Sequence, residues 1–169
     1  MGKATNQNTR VLTLAYGGML AALVFVATCF FRIPVAVTQG YIHLGDGFIL
    51  LGAALLGWAA VPAAAIGSML ADLLAGYTLY CLPTFLIKGA VAAVAVYATH
   101  QQKPLWLTIL LLVAAECVMV GGYFVVEWLF LGYGLAAAVG ALIPNMVQGL
   151  SGVVIGLVLL PLMKRIKIR

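Results

Sequence analysis

Six charged or amide side chains lie inside long apolar stretches of this chain, where an uncompensated charge or amide is costly. They are Asp72, Lys88, Glu116, Glu127, Asn145 and Gln148. Carboxylates, an ammonium group and amides can bind a small polar molecule, pair with one another, or act as acid and base. Which of these applies depends on the elements that carry them and on the depth at which each side chain lies.

The composition indicates an integral membrane protein. The chain is 65% hydrophobic and 8% charged, and its mean hydropathy is +1.17. A soluble domain is typically about 45–50% apolar and about 25% charged. Since a helical span needs about 20 apolar residues, the 169 residues predict roughly six spans, which form a single transmembrane domain over residues 1–169.

The apolar runs predict an all-α membrane fold with six transmembrane helices. The predicted helices cover residues 11–31, 47–60, 62–80, 83–99, 105–129 and 135–163. Basic residues collect at the N-terminus, at Lys103 and in the C-terminal "KRIKIR". Cytoplasmic segments are enriched in Lys and Arg, so both termini are predicted to be cytoplasmic and the 32–46 loop external.

The polar side chains are predicted to collect near the outer face. At about 1.5 Å of rise per residue, four helices place polar groups within roughly 15 Å of that face, and Glu116 lies near mid-depth. Tyr123 and Glu127 are four residues apart on one helix face, and Asn145 and Gln148 are three apart on another. Tyr80 and Trp128 fall at the same level. Such a cluster is typical of a small-molecule site.

Other interpretations of the same residues remain open. Asp72 is predicted to be structural, since it could form an ion pair with Lys88. The tyrosines and Trp128 could be ordinary interfacial aromatics. Contact with a ligand is favoured for Glu127, for Asn145 and for Gln148.

The stretch "QGYIHLGDGF", residues 39–48, precedes the second helix. Asp46 is predicted to be structural, because a carboxylate there can cap the helix N-terminus. Tyr41 and His43 would lie over the site and contact the ligand. The predicted lid is the segment from Gln39 to His43.

Small residues recur on the first helix at Ala15, Gly18 and Ala22. Small residues four apart let another helix approach closely. Internal packing and a docking surface for a separate membrane subunit both fit this spacing.

Several activities lack their motifs. The chain has no P-loop, no H-E-x-x-H and no G-x-S-x-G sequence, so ATP-driven transport would need partner ATPases. His43 and His100 are predicted on opposite sides of the membrane, and no metal, cofactor or nucleic acid is expected. A lipid-modifying enzyme using Asp46, Asp72 and Glu127, or a purely structural subunit, remains an alternative.

Four segments, in their order and spacing, resemble one family over essentially the whole chain. They are "HLGDGFILLGAALLG" (43–57), "GSMLADLLAGY" (67–77), "PTFLIKG" (83–89) and "PNMVQG" (144–149). The chain is similar to the substrate-binding S components of energy-coupling factor (ECF) vitamin transporters, in the group with riboflavin-type and hydroxymethylpyrimidine-type members.

The resemblance implies a vitamin site near the outer face, under the loop that joins the first two helices. It implies partnership with a transmembrane T component and two cytoplasmic ATPases, and a multi-pass location in the plasma membrane of a bacterium. Gly18 and Ala22 carry over as docking candidates, although many relatives have alanine where this chain has glycine.

The expected ligand is hydroxymethylpyrimidine or a pyridoxine-like ring, with riboflavin, pantothenate and thiamine as alternatives. The predicted substrate-binding set is Tyr41, His43, Tyr80, Lys88, Tyr123, Glu127, Trp128, Asn145 and Gln148.

Overall fold

The computed structural model describes residues 2–35, 40–100 and 103–163. Its helices are α1 (Gly2–Phe30), α2 (Gly45–Leu56), α3 (Ala60–Leu74), α4 (Cys81–Thr99), α5 (Leu105–Val125) and α6 (Gly134–Met163). Two strands, β1 (Arg32–Val35) and β2 (Gly40–His43), lie between α1 and α2. Short 3-10 turns cover Gly57–Ala59 and Thr78–Tyr80, and a π-helical turn covers Val126–Phe130. The six predicted helices are therefore all present, with shifted ends.

The helices α2 and α3 run in opposite directions. Asp46, at the start of α2, pairs with Lys88 in the first half of α4, and Asp72, near the end of α3, binds Tyr41 of β2. At the opposite end, Gly57 follows α2 with a φ of 57° and lies against the ring of His100. A positive φ is strained for residues other than glycine. The chain therefore reverses at Gly57, and α2 and α3 form an antiparallel hairpin.

Five segments of the described chain are long and apolar enough to cross a bilayer. They are Gln7–Phe30, Gly45–Leu74, Thr78–Thr99, Leu105–Phe130 and Gly134–Pro161. The second of these segments contains both α2 and α3, which have only 12 and 15 residues, whereas a full span needs about 20. The structure is a helical membrane fold, and six separate spans remain a prediction.

The segment predicted as an irregular loop, 32–46, contains an antiparallel pair of strands instead. Arg32 lies opposite His43, and Ile33 lies opposite Ile42. The connection between the strands, including Gln39 of the predicted lid, lies outside the described residues, as does the basic C-terminal segment 164–169. This hairpin leads from the end of α1 to the start of α2.

Small residues let the helices approach closely around a central α2. Ile49, Leu50 and Ala53 of α2 are buried. On α3, Gly67 lies so close to the backbone of Ala21 in α1 that a Cβ there would collide with the carbonyl oxygen of Ala21. Close backbone approach of this kind is the usual way membrane helices gain packing energy. This close packing holds in place the helices that carry the site residues.

Candidate functional site

One end of the helical assembly encloses a polar cavity. The cavity lies between β2, the end of α3, the start of α4, the end of α5 and the first half of α6. Its lining residues are Tyr41, His43, Asp72, Tyr77, Tyr80, Thr84, Tyr123, Glu127, Ala141, Pro144, Asn145 and Gln148. Its volume is about 40 Å³, which is room for about three water molecules.

The cavity contains seven of the residues that the sequence predicts to contact a ligand. They are Tyr41, His43, Tyr80, Tyr123, Glu127, Asn145 and Gln148. Asp72, predicted to be structural, also lines it. Four further lining residues are outside the predicted set: Tyr77, Thr84, Ala141 and Pro144. Tyr77 could have been included from its spacing of three residues from Tyr80, and Thr84 from its place one helical turn before Lys88.

Tyrosine rings form a continuous row along one wall. The ring centroids of Tyr41 and Tyr77 are 5.0 Å apart, those of Tyr77 and Tyr80 are 6.2 Å apart, and those of Tyr80 and Tyr123 are 6.3 Å apart. Such distances are typical of aromatic pairs in tilted or edge-on contact. The row offers flat surfaces against which a planar ring can stack.

Two carboxylates in the wall are each half-satisfied. Oδ1 of Asp72 accepts a hydrogen bond from the Tyr41 hydroxyl at 2.6 Å, and Oε1 of Glu127 accepts one from the Tyr80 hydroxyl at 3.1 Å. The second oxygen of each carboxylate is buried and has no hydrogen-bond partner among the described residues. A buried acceptor without a donor is costly. Both carboxylates can therefore gain from a ligand that brings N–H or O–H groups.

Glu127 lies in the π-helical turn that follows α5. Of the five residues in that turn, Val126–Phe130, only Glu127 is buried. Single π-helical turns interrupt α-helices rarely and often occur at functional sites. Trp128, the next residue, has 42% of its surface exposed and packs on Phe124 with ring centroids 5.8 Å apart. Trp128 is not among the residues that line the cavity, so its contact with a ligand stays a prediction that this arrangement does not support.

His43 is a neutral hydrogen-bonding residue. Burial, reinforced by the nearby Lys88 charge and opposed by Asp46, lowers the pKa of His43 to about 3. Its Nδ1 accepts the backbone N–H of Gly45 at 3.0 Å, so the proton of the neutral ring is on Nε2. His43 therefore contributes no positive charge to the cavity at neutral pH.

Lys88 lies behind the cavity wall. Its Nζ contacts Oδ1 of Asp46 at 2.6 Å, and neither side chain is exposed by more than 1%. The ammonium group also lies 5.5 Å from the ring centroid of Tyr123, which separates it from the cavity. Lys88 is not among the residues that line the cavity, so its contact with a ligand stays a prediction. The alternative of an ion pair with Asp72 is wrong, because Lys88 pairs with Asp46.

Asp46 does not cap a helix. Helix α2 begins at Gly45, one residue before Asp46, and its first N–H group, that of Gly45, is bound by Nδ1 of His43 and not by Asp46. Instead the Asp46 carboxylate is shared between Lys88 and Gln148, whose Nε2 donates to Oδ2 at 2.6 Å. The predicted structural role is retained, but as a buried ion pair and not as a cap.

Gln148 joins the strand β2 to this ion pair. Its Oε1 accepts the backbone N–H of His43 at 3.0 Å, while its Nε2 donates to Asp46. Both ends of the amide are thus engaged by the protein, although the side chain lines the cavity. Asn145, one turn earlier on α6, makes no hydrogen bond to the described residues and is the amide available to a ligand.

The predicted docking residues lie on the outer face of α1. Ala15, Gly18 and Ala22 are exposed, and a Cβ on Gly18 would meet nothing within 4 Å. Gly17, the preceding residue, faces the backbone carbonyl oxygen of Ala59 instead. Internal packing therefore does not explain the outer set.

Comparison with known proteins gives consistent matches. The family described as the ECF-type riboflavin transporter S component matches residues 8–165. The thiamine precursor transporter HmpT of Lactococcus lactis is 35% identical over 164 residues, which is 95% of this chain and 91% of HmpT. An uncharacterized protein of Pyrococcus woesei is 35% identical over 134 residues, covering 79% of this chain and 88% of the relative.

A solved structure shares the fold. The S component of a bacterial ECF transporter superimposes with a TM-score of 0.71 at 20% identity, over 96% of this chain and 99% of that structure. The apolar helices and these matches identify a multi-pass protein of the plasma membrane. The chain belongs to the family of S components of ECF-type transporters, which serve vitamin uptake.

Proposed function

We propose that this S component binds hydroxymethylpyrimidine, a precursor of thiamine, in the cavity described above. The observation that carries the proposal is the character of the wall: two carboxylates, a row of tyrosines, a free amide at Asn145 and no cationic side chain among the lining residues. Such a wall suits a small planar ring with hydrogen-bond donors.

Charge argues against an anionic vitamin. Asp72 and Glu127 each present an unpartnered oxygen, His43 is neutral, and Lys88 is neutralised by Asp46 behind the wall. A like charge placed near a carboxylate in a poorly solvated site is strongly disfavoured. Pantothenate carries a carboxylate and is therefore a poor match.

Size argues for a single ring. A cavity of about 40 Å³ must widen even for one heteroaromatic ring, and more for the three fused rings of riboflavin. The similarity to HmpT over nearly the whole chain supports a pyrimidine over pyridoxine, which offers comparable donors. Proteins of this kind bind and deliver a ligand, so we expect no turnover by the chain itself.

The experiment is a binding panel on the purified chain. Tryptophan fluorescence is recorded while hydroxymethylpyrimidine, pyridoxine, thiamine, riboflavin and pantothenate are added in turn. Hydroxymethylpyrimidine should give the tightest saturable response and pantothenate none. Folded protein that responds best to riboflavin or pantothenate would contradict the proposal.

We further propose that the cavity end faces outward and that β2 acts as its lid. The Tyr41 hydroxyl fastens β2 to α3 through Asp72. Burial and the neighbouring Asp72 carboxylate raise the pKa of Tyr41, so the phenol keeps its proton and remains a donor at physiological pH. The other attachment, from His43 to Gln148, is anchored by the buried ion pair, so the Tyr41 end should open first.

Tyr41→Phe removes the hydroxyl that closes the lid. Because a hydrogen bond to a charged group contributes about 1.5–3 kcal/mol, ligand release should become roughly tenfold faster or more, as measured by stopped-flow displacement. Tyr97→Phe, a half-exposed tyrosine at the other end of α4, is the matched control and should leave release unchanged. Equal release rates in wild type and Tyr41→Phe would rule out this fastening.

The outer face of α1 is proposed to dock on the T component, which with two ATPases would power uptake. An exposed row of small residues at Ala15, Gly18 and Ala22 fits the close approach of a second helix. Gly18→Leu should leave vitamin binding unchanged, because a Cβ at that position meets none of the described residues within 4 Å, while abolishing co-purification with the T component and ATPases. Gly121→Leu, at an exposed position of α5, is the control and should assemble normally. If Gly18→Leu also assembled normally, the outer face of α1 would not be the docking surface.

A further inference from the structure

The Glu127 carboxylate is built into the cavity wall in a fixed orientation. It is only 3% exposed and lies in the π-helical turn, whose other residues are not buried. The Tyr80 hydroxyl holds Oε1, and the Tyr80 side chain is itself buried. Oε2 has no donor among the described residues. One acceptor of a rigid carboxylate is therefore left for a partner that the protein does not supply.

The rest of the wall does not satisfy this acceptor either. Thr84 Oγ1 and the Tyr123 hydroxyl bond to each other at 3.0 Å, and the Gln148 amide is engaged by Asp46 and His43. Lys88, the cation near this end of α4, is held by Asp46. A ligand donor is the natural complement to Oε2.

We propose that Glu127 determines ligand specificity by accepting a hydrogen bond from a ring amino group. This inference rests on the proposed function, since hydroxymethylpyrimidine carries one amino group beside a ring nitrogen. Carboxylates recognise the equivalent amino group of cytosine in protein–DNA complexes. The Asn145 amide makes no hydrogen bond to the described part of the chain, and it has the donor and the acceptor needed to bond the adjacent ring nitrogen or the hydroxymethyl group.

Such a site rejects analogues that lack the donor more strongly than it rejects small changes of shape. When the amino group is replaced by a methyl group of similar size, the ligand still fits, but Oε2 stays buried and unpaired. Sites built to hydrogen-bond a substrate N–H or O–H discriminate sharply against analogues without it, for this reason. The discriminating quantity is the ratio of affinities for the amino and methyl compounds.

The test is a cycle of two ligands and two protein variants. Calorimetry measures the binding of hydroxymethylpyrimidine and of the analogue with methyl in place of the amino group. Wild type should prefer the amino compound by about 100-fold, the factor expected when a buried charged acceptor is left unpaired. In Glu127→Met, which removes the acceptor and keeps the length, the ratio should fall to within about threefold, since the coupling term is lost.

Two further variants guard against a purely structural effect. Glu116→Met removes the carboxylate of a buried residue that does not line the cavity. Whatever the change in stability, the ratio of its affinities for the amino and methyl compounds should stay near the wild-type value. Glu127→Gln keeps an acceptor without the charge, so it should fold and retain an intermediate ratio of about tenfold.

The outcomes separate the two proposals. Wild-type protein that binds both compounds equally well overturns the role of Glu127 and leaves hydroxymethylpyrimidine binding in place. A ratio that persists in both Glu127 variants also overturns it. Folded wild-type protein that binds neither compound contradicts the proposed ligand itself.

Discussion

Lys88→Met is expected to lower the free energy of unfolding by about 3–5 kcal/mol, the usual cost of breaking a buried ion pair from one side. The ammonium group and the Asp46 carboxylate are both essentially inaccessible, so removing the cation leaves a negative charge in the centre of the helical assembly. Thermal or denaturant unfolding in detergent measures the loss.

A double variant distinguishes charge from volume. Asp46→Leu combined with Lys88→Met replaces the pair by apolar side chains, which is often close to neutral. It should recover most of the loss, but not all, because Gln148 loses the acceptor for its Nε2. Arg10→Gln, at an exposed cation of α1, is the control. If Lys88→Met had the same free energy of unfolding as the wild type, the ion pair would contribute little to stability.

Gly67→Ala is expected to destabilise the protein by about 1–3 kcal/mol, the cost of overpacking a tight core. The added methyl group would collide with the carbonyl oxygen of Ala21, which is backbone and cannot rotate away. Helices α1 and α3 would have to separate, and the end of α3 carries Asp72.

The matched control for this substitution is Gly121→Ala. Gly121 is exposed on α5, and a Cβ there meets nothing within 4 Å. Alanine is a better helix former than glycine by about 1 kcal/mol, so this variant should be unchanged or slightly more stable. A melting temperature that moves equally in both variants would contradict the close α1–α3 contact.

The sequence predicts the residues that line the cavity better than it predicts the ion pair and hydrogen bonds behind them. Composition and basic termini predict membrane helices, and the depth of polar residues in four helices predicts the cavity, because the ends of antiparallel helices must meet at one level. Seven predicted contacts, Glu127 and Asn145 among them, do line the cavity.

The pairing of charges could not be read from spacing. Lys88 is separated from Asp46 by 42 positions and from Asp72 by 16, and both carboxylates are plausible partners until the helices are placed. The apolar run after Asp46 predicts that its carboxylate caps the helix, but α2 begins one residue earlier, at Gly45. The placement of Lys88 behind Tyr123 follows from that pairing.

Two local features also escaped prediction. The strands β1 and β2 have only four residues each. They are too short to show a clear alternation of polar and apolar residues, so the sequence predicts a loop there. The π-helical turn at Glu127 leaves no sequence signal of its own. Both features bear directly on the cavity, because β2 contributes Tyr41 and His43 to its wall and the π-helical turn contributes Glu127.

The most direct test of the central claim is a calorimetric titration of hydroxymethylpyrimidine into the purified wild-type chain and into Ala141→Leu. Ala141 is buried and lines the cavity, so the larger side chain fills space that the ligand needs. Saturable binding at a single site in wild type, lost in a folded Ala141→Leu variant, is the predicted result. Binding of equal strength in both proteins, or no binding to folded wild type, would contradict the assignment of this cavity as the vitamin site.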